Sequence, residues 1–154
     1  MTPKSEIDSP SGGEGPLMES KLPNLELVYR GKVRDTYELP ALEFPDPKMP
    51  DGIFHLRELL LMVATDRVSA FDVVLPAGIP DKGRILNLMS AFWFDKTRHL
   101  SPNHLVGVVE NPTRLAAYGQ FPDYVSQRSM VVRPAERIDV ECVVRGYLSG
   151  SAWA

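Results

Sequence analysis

Leu59-Leu60-Leu61-Met62-Val63-Ala64, followed by Thr65-Asp66-Arg67-Val68-Ser69-Ala70-Phe71-Asp72, is the stretch that decides the fold. Its first six residues are a nearly continuous apolar run bounded by charges and read as a buried strand. Thr65 to Ser69 reads as a polar turn, and Ala70 to Leu75 as a further short strand. Upstream, Leu25, Leu27 and Tyr29 alternate with Glu26 and Val28; Gly31 interrupts, and Val33, Thr36 and Tyr37 continue within Lys32 to Leu39. A strand–turn–strand is expected there. Pro40 to Gly52 holds four prolines and reads as a loop, since no central strand tolerates them. Downstream, Pro76 to Gly83 is a loop, and Ile85, Leu86, Met89, Phe92, Trp93 and Leu100 recur at helical spacing, predicting a helix over Ile85 to Leu100. Pro102 to Pro122 is mixed in character. Met130 to Arg133 and Val140 to Val144 are β-branched strands around a Pro134-Ala135-Glu136-Arg137 turn. Strands, one helix, then strands, with few βαβ alternations, indicate an α+β fold with a mostly antiparallel sheet and a flanking helix.

A chain of 154 residues, 44% hydrophobic and 24% charged, has the composition of an ordinary globular domain with its own core. Residues Met1 to Asn24 are rich in Ser, Pro, Gly and Glu and are expected to form a disordered tail, with the ordered domain running from Leu25 to Ala154. The net charge is −3 and the basic residues are dispersed, which argues against a nucleic-acid partner but leaves room for a few cations converging on a small anion. Cys142 is the one cysteine, so no internal disulfide forms, and no Cys/His cluster has metal-ligand spacing. No apolar run approaches the roughly 20 residues of a membrane span, and Glu6, Asp8 and Glu14 do not suit a targeting peptide. A cytoplasmic location fits.

Four segments carry residues suited to chemistry. In Tyr29-Arg30-Gly31-Lys32-Val33-Arg34-Asp35, Gly31 lets backbone approach a ligand, and Lys32 and Arg34, two apart on a strand, present two cations to one face. That suits a polyphosphate, although a hairpin with a charged solvent face has the same pattern; a G-x-x-x-x-G-K-[ST] loop is absent. Asp66, Arg67, Ser69 and Asp72 fall at the end of the buried strand, Asp72 inside an apolar stretch where it needs a cationic or amine partner if buried. A capping aspartate or internal salt bridge reads equally well. Asp81-Lys82-Gly83-Arg84 is a turn before the helix, whose cations suit either solvent or a ligand. In Glu141-Cys142-Val143-Val144-Arg145, even spacing would put Glu141 and Arg145 on one strand face, paired with each other or with a ligand anion. Ser149-Gly150-Ser151 offers hydroxyls and N–H groups where a helix would begin, either as an anion site or as a cap.

Taken in order, Arg30 to Tyr37, Ala64 to Asp72, Lys82-Gly83 followed by Phe92-Trp93-Phe94, and Glu141 to Trp153 resemble the SAICAR synthetase family, from about Leu27 to the last residue. The resemblance implies an N-terminal ATP-binding lobe, similar to the small lobe of protein kinases, of an ATP-dependent ligase. That ligase joins L-aspartate to carboxyaminoimidazole ribotide (CAIR), giving SAICAR, ADP and phosphate in purine biosynthesis. Gly31, Lys32 and Arg34 then correspond to the loop over the ATP phosphates, and Val132, Arg133 and Ala135, with Glu141, to the nucleotide-contacting hinge side. Asp72 and Lys82 fall where the family contacts the imidazole nucleotide or organises the reaction, and Arg145 and Ser151 match residues holding the ribotide phosphate. Pro40 to Gly52 is longer than the family's usual connection. The chain is about half the family's length and stops in mid-pattern, so the Mg²⁺ ligands are expected outside it. The alternative is a truncated nucleotide-binding module without catalysis. A kinase-like phosphotransferase is disfavoured, since G-x-G-x-x-G, H-R-D-L-x-x-x-N and D-F-G elements are all missing.

Overall fold

The structure, a computed structural model, describes residues 15–45, 53–136, 138–140, 142–148, 150 and 153. The decisive apolar run forms β5 (Leu59–Ala64), the middle strand of a five-stranded antiparallel sheet. On one side lie β2 (Arg34–Leu39) and then β1 (Leu27–Arg30); on the other lie β9 (Ser129–Val132) and then β8 (Leu105–Val108). Two ribbons stand apart from this sheet: β3 (Leu42–Pro45) with β4 (Ile53–Leu56), and β6 (Arg67–Ala70) with β7 (Val73–Gly78). Helix α1 spans Lys82–Thr97, and two 3₁₀ segments, Pro112–Tyr118 and Asp123–Val125, follow β8. The expected α+β class with an antiparallel sheet and one main helix is what forms.

Register sorts the sheet into two faces. Tyr37 opposes Leu61, Asp35 opposes Val63, and Leu61 and Val63 oppose Val131 and Ser129. Tyr37, Leu39, Leu61 and Val63 are buried in a core with Leu17, Leu22, Val109, Leu115 and Val125. Each such aliphatic side chain contributes about 1.5–3 kcal/mol on burial, so a one-residue slip, which would turn β5 over, is strongly disfavoured. The opposite face carries Arg34, Met62, Ala64, Met130 and Val132, and α1 packs against the β5, β8 and β9 end of it.

Several sequence expectations need correcting. Within residues 1–24, expected as a disordered tail, Leu17, Ser20 and Leu22 of the segment Pro16–Leu22 are buried against the core. Its two leucines and one serine are too few to stand out from a Ser/Pro/Gly-rich background; residues 1–14 lie outside those described. Ala70 to Leu75 is not one strand. Phe71 and Asp72 take positive φ values of 48° and 64°, turning β6 back onto β7, and Arg67 to Ser69 belong to β6 rather than to a turn. Pro76 to Gly78 lies in β7, where a two-stranded ribbon leaves proline an unpaired side. The helix begins at Lys82, ahead of the first periodic apolar residue, and ends at Thr97. The expected strand Val140 to Val144 does not form over its described residues: Val140, Val143 and Val144 are exposed. β-branched residues favour a strand only where another strand satisfies their backbone. Part of the Pro40 to Gly52 loop is strand β3, and residues 46–52 lie outside those described.

Candidate functional site

Helix α1 starts hard against the end of β5. A Cβ on Gly83 would stand 2.3 Å from the Ala64 carbonyl oxygen, so only glycine permits this approach. The Gly83 N–H donates to Asp66 Oδ1 at 2.8 Å, and Asn87, one turn on, donates from Nδ2 to the carbonyls of Gln127 (2.8 Å) and Ser129 (3.3 Å). Between the helix and the sheet face lies a cleft. Arg34 from β2 and Lys82, the first residue of α1, line it together with Thr65, His104 and the apolar Met62 and Met130. Burial, and then the neighbouring Arg34 cation, push His104 below the ordinary histidine value, so its ring is neutral at pH 7. The cleft therefore offers two cations, a neutral imidazole and an apolar floor, an inventory suited to a planar ring carrying anionic groups.

The turn between β1 and β2 borders this cleft through Val33. Gly31 closes it by donating to the Arg34 carbonyl at 2.8 Å. Behind it Arg67, nearly buried, donates to the carbonyls of Lys32 (3.1 Å), Gly31 (2.9 Å) and Met18 (2.8 Å) and to Asp35 Oδ1 (2.7 Å). Burial alone would raise the Asp35 pKa, but hydrogen bonds from Arg67 and from the Ser20 N–H and hydroxyl outweigh it and hold the carboxyl below its ordinary value. A second buried carboxylate, Asp66, accepts from Leu17 N–H (2.7 Å), Gly83 N–H (2.8 Å) and Arg128 Nη1 (3.0 Å). It thus joins the N-terminal segment, the helix start and the residue just before β9. At the outer rim, Lys32 Nζ meets Asp72 Oδ1 at 2.5 Å, so the tips of two hairpins touch.

The candidates from sequence divide accordingly. Arg34 and Lys82 share the cleft, Gly31 and Lys32 lie beside it in the turn, and Val132 closes the far end of β9, buried on the cleft face. Past it, Arg133 donates its N–H to the His104 carbonyl at 2.8 Å, while its side chain and Ala135 are exposed. Asp72 is not buried: its side chain is 88% exposed, and its Lys32 partner holds its carboxyl below the ordinary value. The apolar neighbours that suggested burial belong to an exposed hairpin. Arg145 lies beside Gly150 and does not line the cleft. Glu141 and Ser151 lie outside the described residues. Asp66 and Arg67, quoted as ligand candidates, instead serve as buried supports. Sequence reasoning missed Ser20, Asn87, His104 and Arg128, for which no local pattern exists; Gly83, next to Lys82 at the head of a helix, was the one findable signal. Among the described residues, no group of three or more His, Cys, Asp or Glu could hold a metal ion, and no helix is long and apolar enough to cross a membrane.

An antiparallel sheet with one helix docked on it, and Arg34 and Lys82 both lining the intervening cleft, defines an α+β lobe. A sequence model of the SAICAR synthetase family matches residues 27–154, and the chain belongs to that family. It is 48% identical over 139 residues to the phosphoribosylaminoimidazole-succinocarboxamide synthase of Thermodesulfovibrio yellowstonii, covering 89% of this chain and 41% of that one. The Stenotrophomonas maltophilia enzyme of the same name is 47% identical over 137 residues, covering 89% and 42%. Among solved structures, the Saccharomyces cerevisiae SAICAR synthase complexed with SAICAR superposes with a TM-score of 0.64 at 35% identity, over 89% of this chain and 43% of that one. The chain thus spans about two-fifths of the length of the curated relatives it matches.

Proposed function

We propose that this chain supplies the ATP-binding lobe of a ligase that joins L-aspartate to carboxyaminoimidazole ribotide, and that ATP occupies the cleft between α1 and the sheet. The observation that carries this reading is the meeting of Arg34 and Lys82 in one cleft beside the Gly31-Lys32 turn. In the reaction, a carboxylate oxygen of the ribotide attacks the γ-phosphorus of ATP, ADP leaves, and an acyl phosphate forms. The aspartate amine then attacks the acyl carbon, inorganic phosphate departs, and the amine loses a proton. The chemistry asks the protein chiefly for orientation and for cations where negative charge gathers. Lys32 and Arg34 take the phosphates, Lys82 the transferred group, and Val132, Arg133 and Ala135, with Glu141, the adenine side. Asp72, Arg145 and Ser151 are assigned to the ribotide.

Mg²⁺ accompanies ATP in such reactions, but the described residues do not fit it. Asp35 and Asp66 are engaged by buried arginines and Asp72 by Lys32. The second reading, nucleotide binding without turnover, is favoured by the chain's covering two-fifths of its relatives' length. The test follows ADP and succinocarboxamide product together, alongside calorimetric binding of a non-hydrolysable ATP analogue. Analogue binding weakened about tenfold in Arg34→Ala, the order expected for a lost charged hydrogen bond, is the expected outcome. Turnover would select the ligase reading for this chain, and binding without turnover the second. A folded chain that binds no analogue sinks both.

A further inference from the structure

We propose that Leu17–Ser20 is a positioning element for the β1–β2 turn, acting through Asp35 and Arg67, so that its integrity sets affinity for the phosphates of a bound nucleotide and not for its nucleoside part. The inference rests on reading the cleft as a nucleotide site.

Three successive turn carbonyls are held from one side. Arg67 takes those of Gly31 and Lys32, and Thr65 takes that of Val33 through its N–H (3.0 Å) and hydroxyl (2.9 Å). In a trans peptide the C=O and the following N–H point in opposite directions, and no peptide here is cis. The N–H groups of Lys32, Val33 and Arg34 are therefore turned away from residues 65–67. Successive N–H groups aimed the same way form an anion-receiving concavity.

What fixes Arg67 fixes that direction. A nearly buried guanidinium needs a planar anion in a set orientation, and Asp35 is that anion. The Asp35 carboxylate is in turn held by the Ser20 N–H (3.0 Å) and hydroxyl (2.7 Å), while Met18 supplies a carbonyl directly to Arg67. Leu17 anchors the segment by exchanging bonds with Asp66: its N–H to Oδ2 at 2.7 Å, and its carbonyl from the Asp66 N–H at 2.8 Å. Leu17 and Leu22 bury the flanks. The segment precedes residue 27, where the family match begins.

The test titrates the full 154-residue chain with ATP and, separately, with adenosine, for wild type, Ser20→Ala and Leu22→Ala, with thermal unfolding followed for each. Leu22→Ala removes core packing beside the segment and leaves the Ser20–Asp35–Arg67 bonds in place. Ser20→Ala is expected to weaken ATP about tenfold and leave adenosine within about twofold, while Leu22→Ala lowers the melting temperature without changing the ratio of the two affinities. An equal loss for both ligands, or none, in folded Ser20→Ala overturns the proposal, as does a selective ATP loss in Leu22→Ala. A folded wild-type chain that binds neither probe overturns the nucleotide reading of the cleft, and the proposal falls with it.

Discussion

A single carbon added at Gly83 would stand 2.3 Å from one carbonyl oxygen and 2.9 Å from the next, both of them backbone. In an open helix, Gly→Ala gains up to about 1 kcal/mol; here the sign reverses, because neither Ala64 nor Thr65 can withdraw without disturbing β5. Gly83→Ala is expected to cost about 1–3 kcal/mol in urea unfolding, and a stabilised variant would refute this packing. Asp35 makes a pH-dependent contribution. Its native pKa lies below its unfolded value, near the ordinary 3.9 or so, so its stabilisation is complete above that value and fades as pH falls through it toward the lower native value. Urea midpoints should drop as pH falls below about 4, with a shallower fall in Asp35→Asn. Parallel pH profiles for the two proteins would remove Asp35 from the account.

Helix α1 shows how an element can be legible while its orientation is not. The apolar spacing of Ile85, Met89, Phe92 and Trp93 marks a helix, but those side chains are 51–58% exposed, and the buried positions are Gly83 and Asn87. A polar residue and a glycine made the contact, which no hydrophobicity pattern encodes. Asn87→Ala takes the side-chain donor from the buried contact with the Gln127 carbonyl, leaves the Ser129 carbonyl only the Val109 N–H, and is expected to lower stability by about 1–3 kcal/mol. Met89→Ala should change it by less than about 0.5 kcal/mol. Thermal unfolding of the two variants checks the contrast, and a larger effect at Met89 would invert the assigned face. β5 and β2 were legible for the opposite reason: their partners are strands, and apolar periodicity is what a sheet face requires.

Across the whole molecule, the readable parts are those whose cause is local. Gly31 with its flanking alternation gave the β1–β2 turn, and the order of strands gave the α+β class. The supports of the cleft were hidden because their partners lie far away in sequence: Arg67 meets Asp35, and Asp66 meets Arg128, 62 residues on. Val140, Val143 and Val144 misled for the converse reason, having strand composition without a strand beside them among the described residues. The α1 face, together with exposed Phe71, Val73 and Ile79, leaves large apolar side chains open to solvent. Such surface drives association. Sedimentation of this chain is expected to show concentration-dependent self-association that Phe92→Glu reduces; a strict monomer at every concentration would contradict this.

The bond between the Lys21 N–H and the Tyr124 hydroxyl bridges 103 residues. Translation delivers the N-terminal side first, so Leu17 and Leu22 leave the ribosome well before Val109, Leu115 and Val125, which complete the core they share. What is made first is seated last. Long-range closure of this kind slows folding and leaves early apolar segments uncovered, which makes the nascent chain, rather than the finished protein, the form most in need of a chaperone.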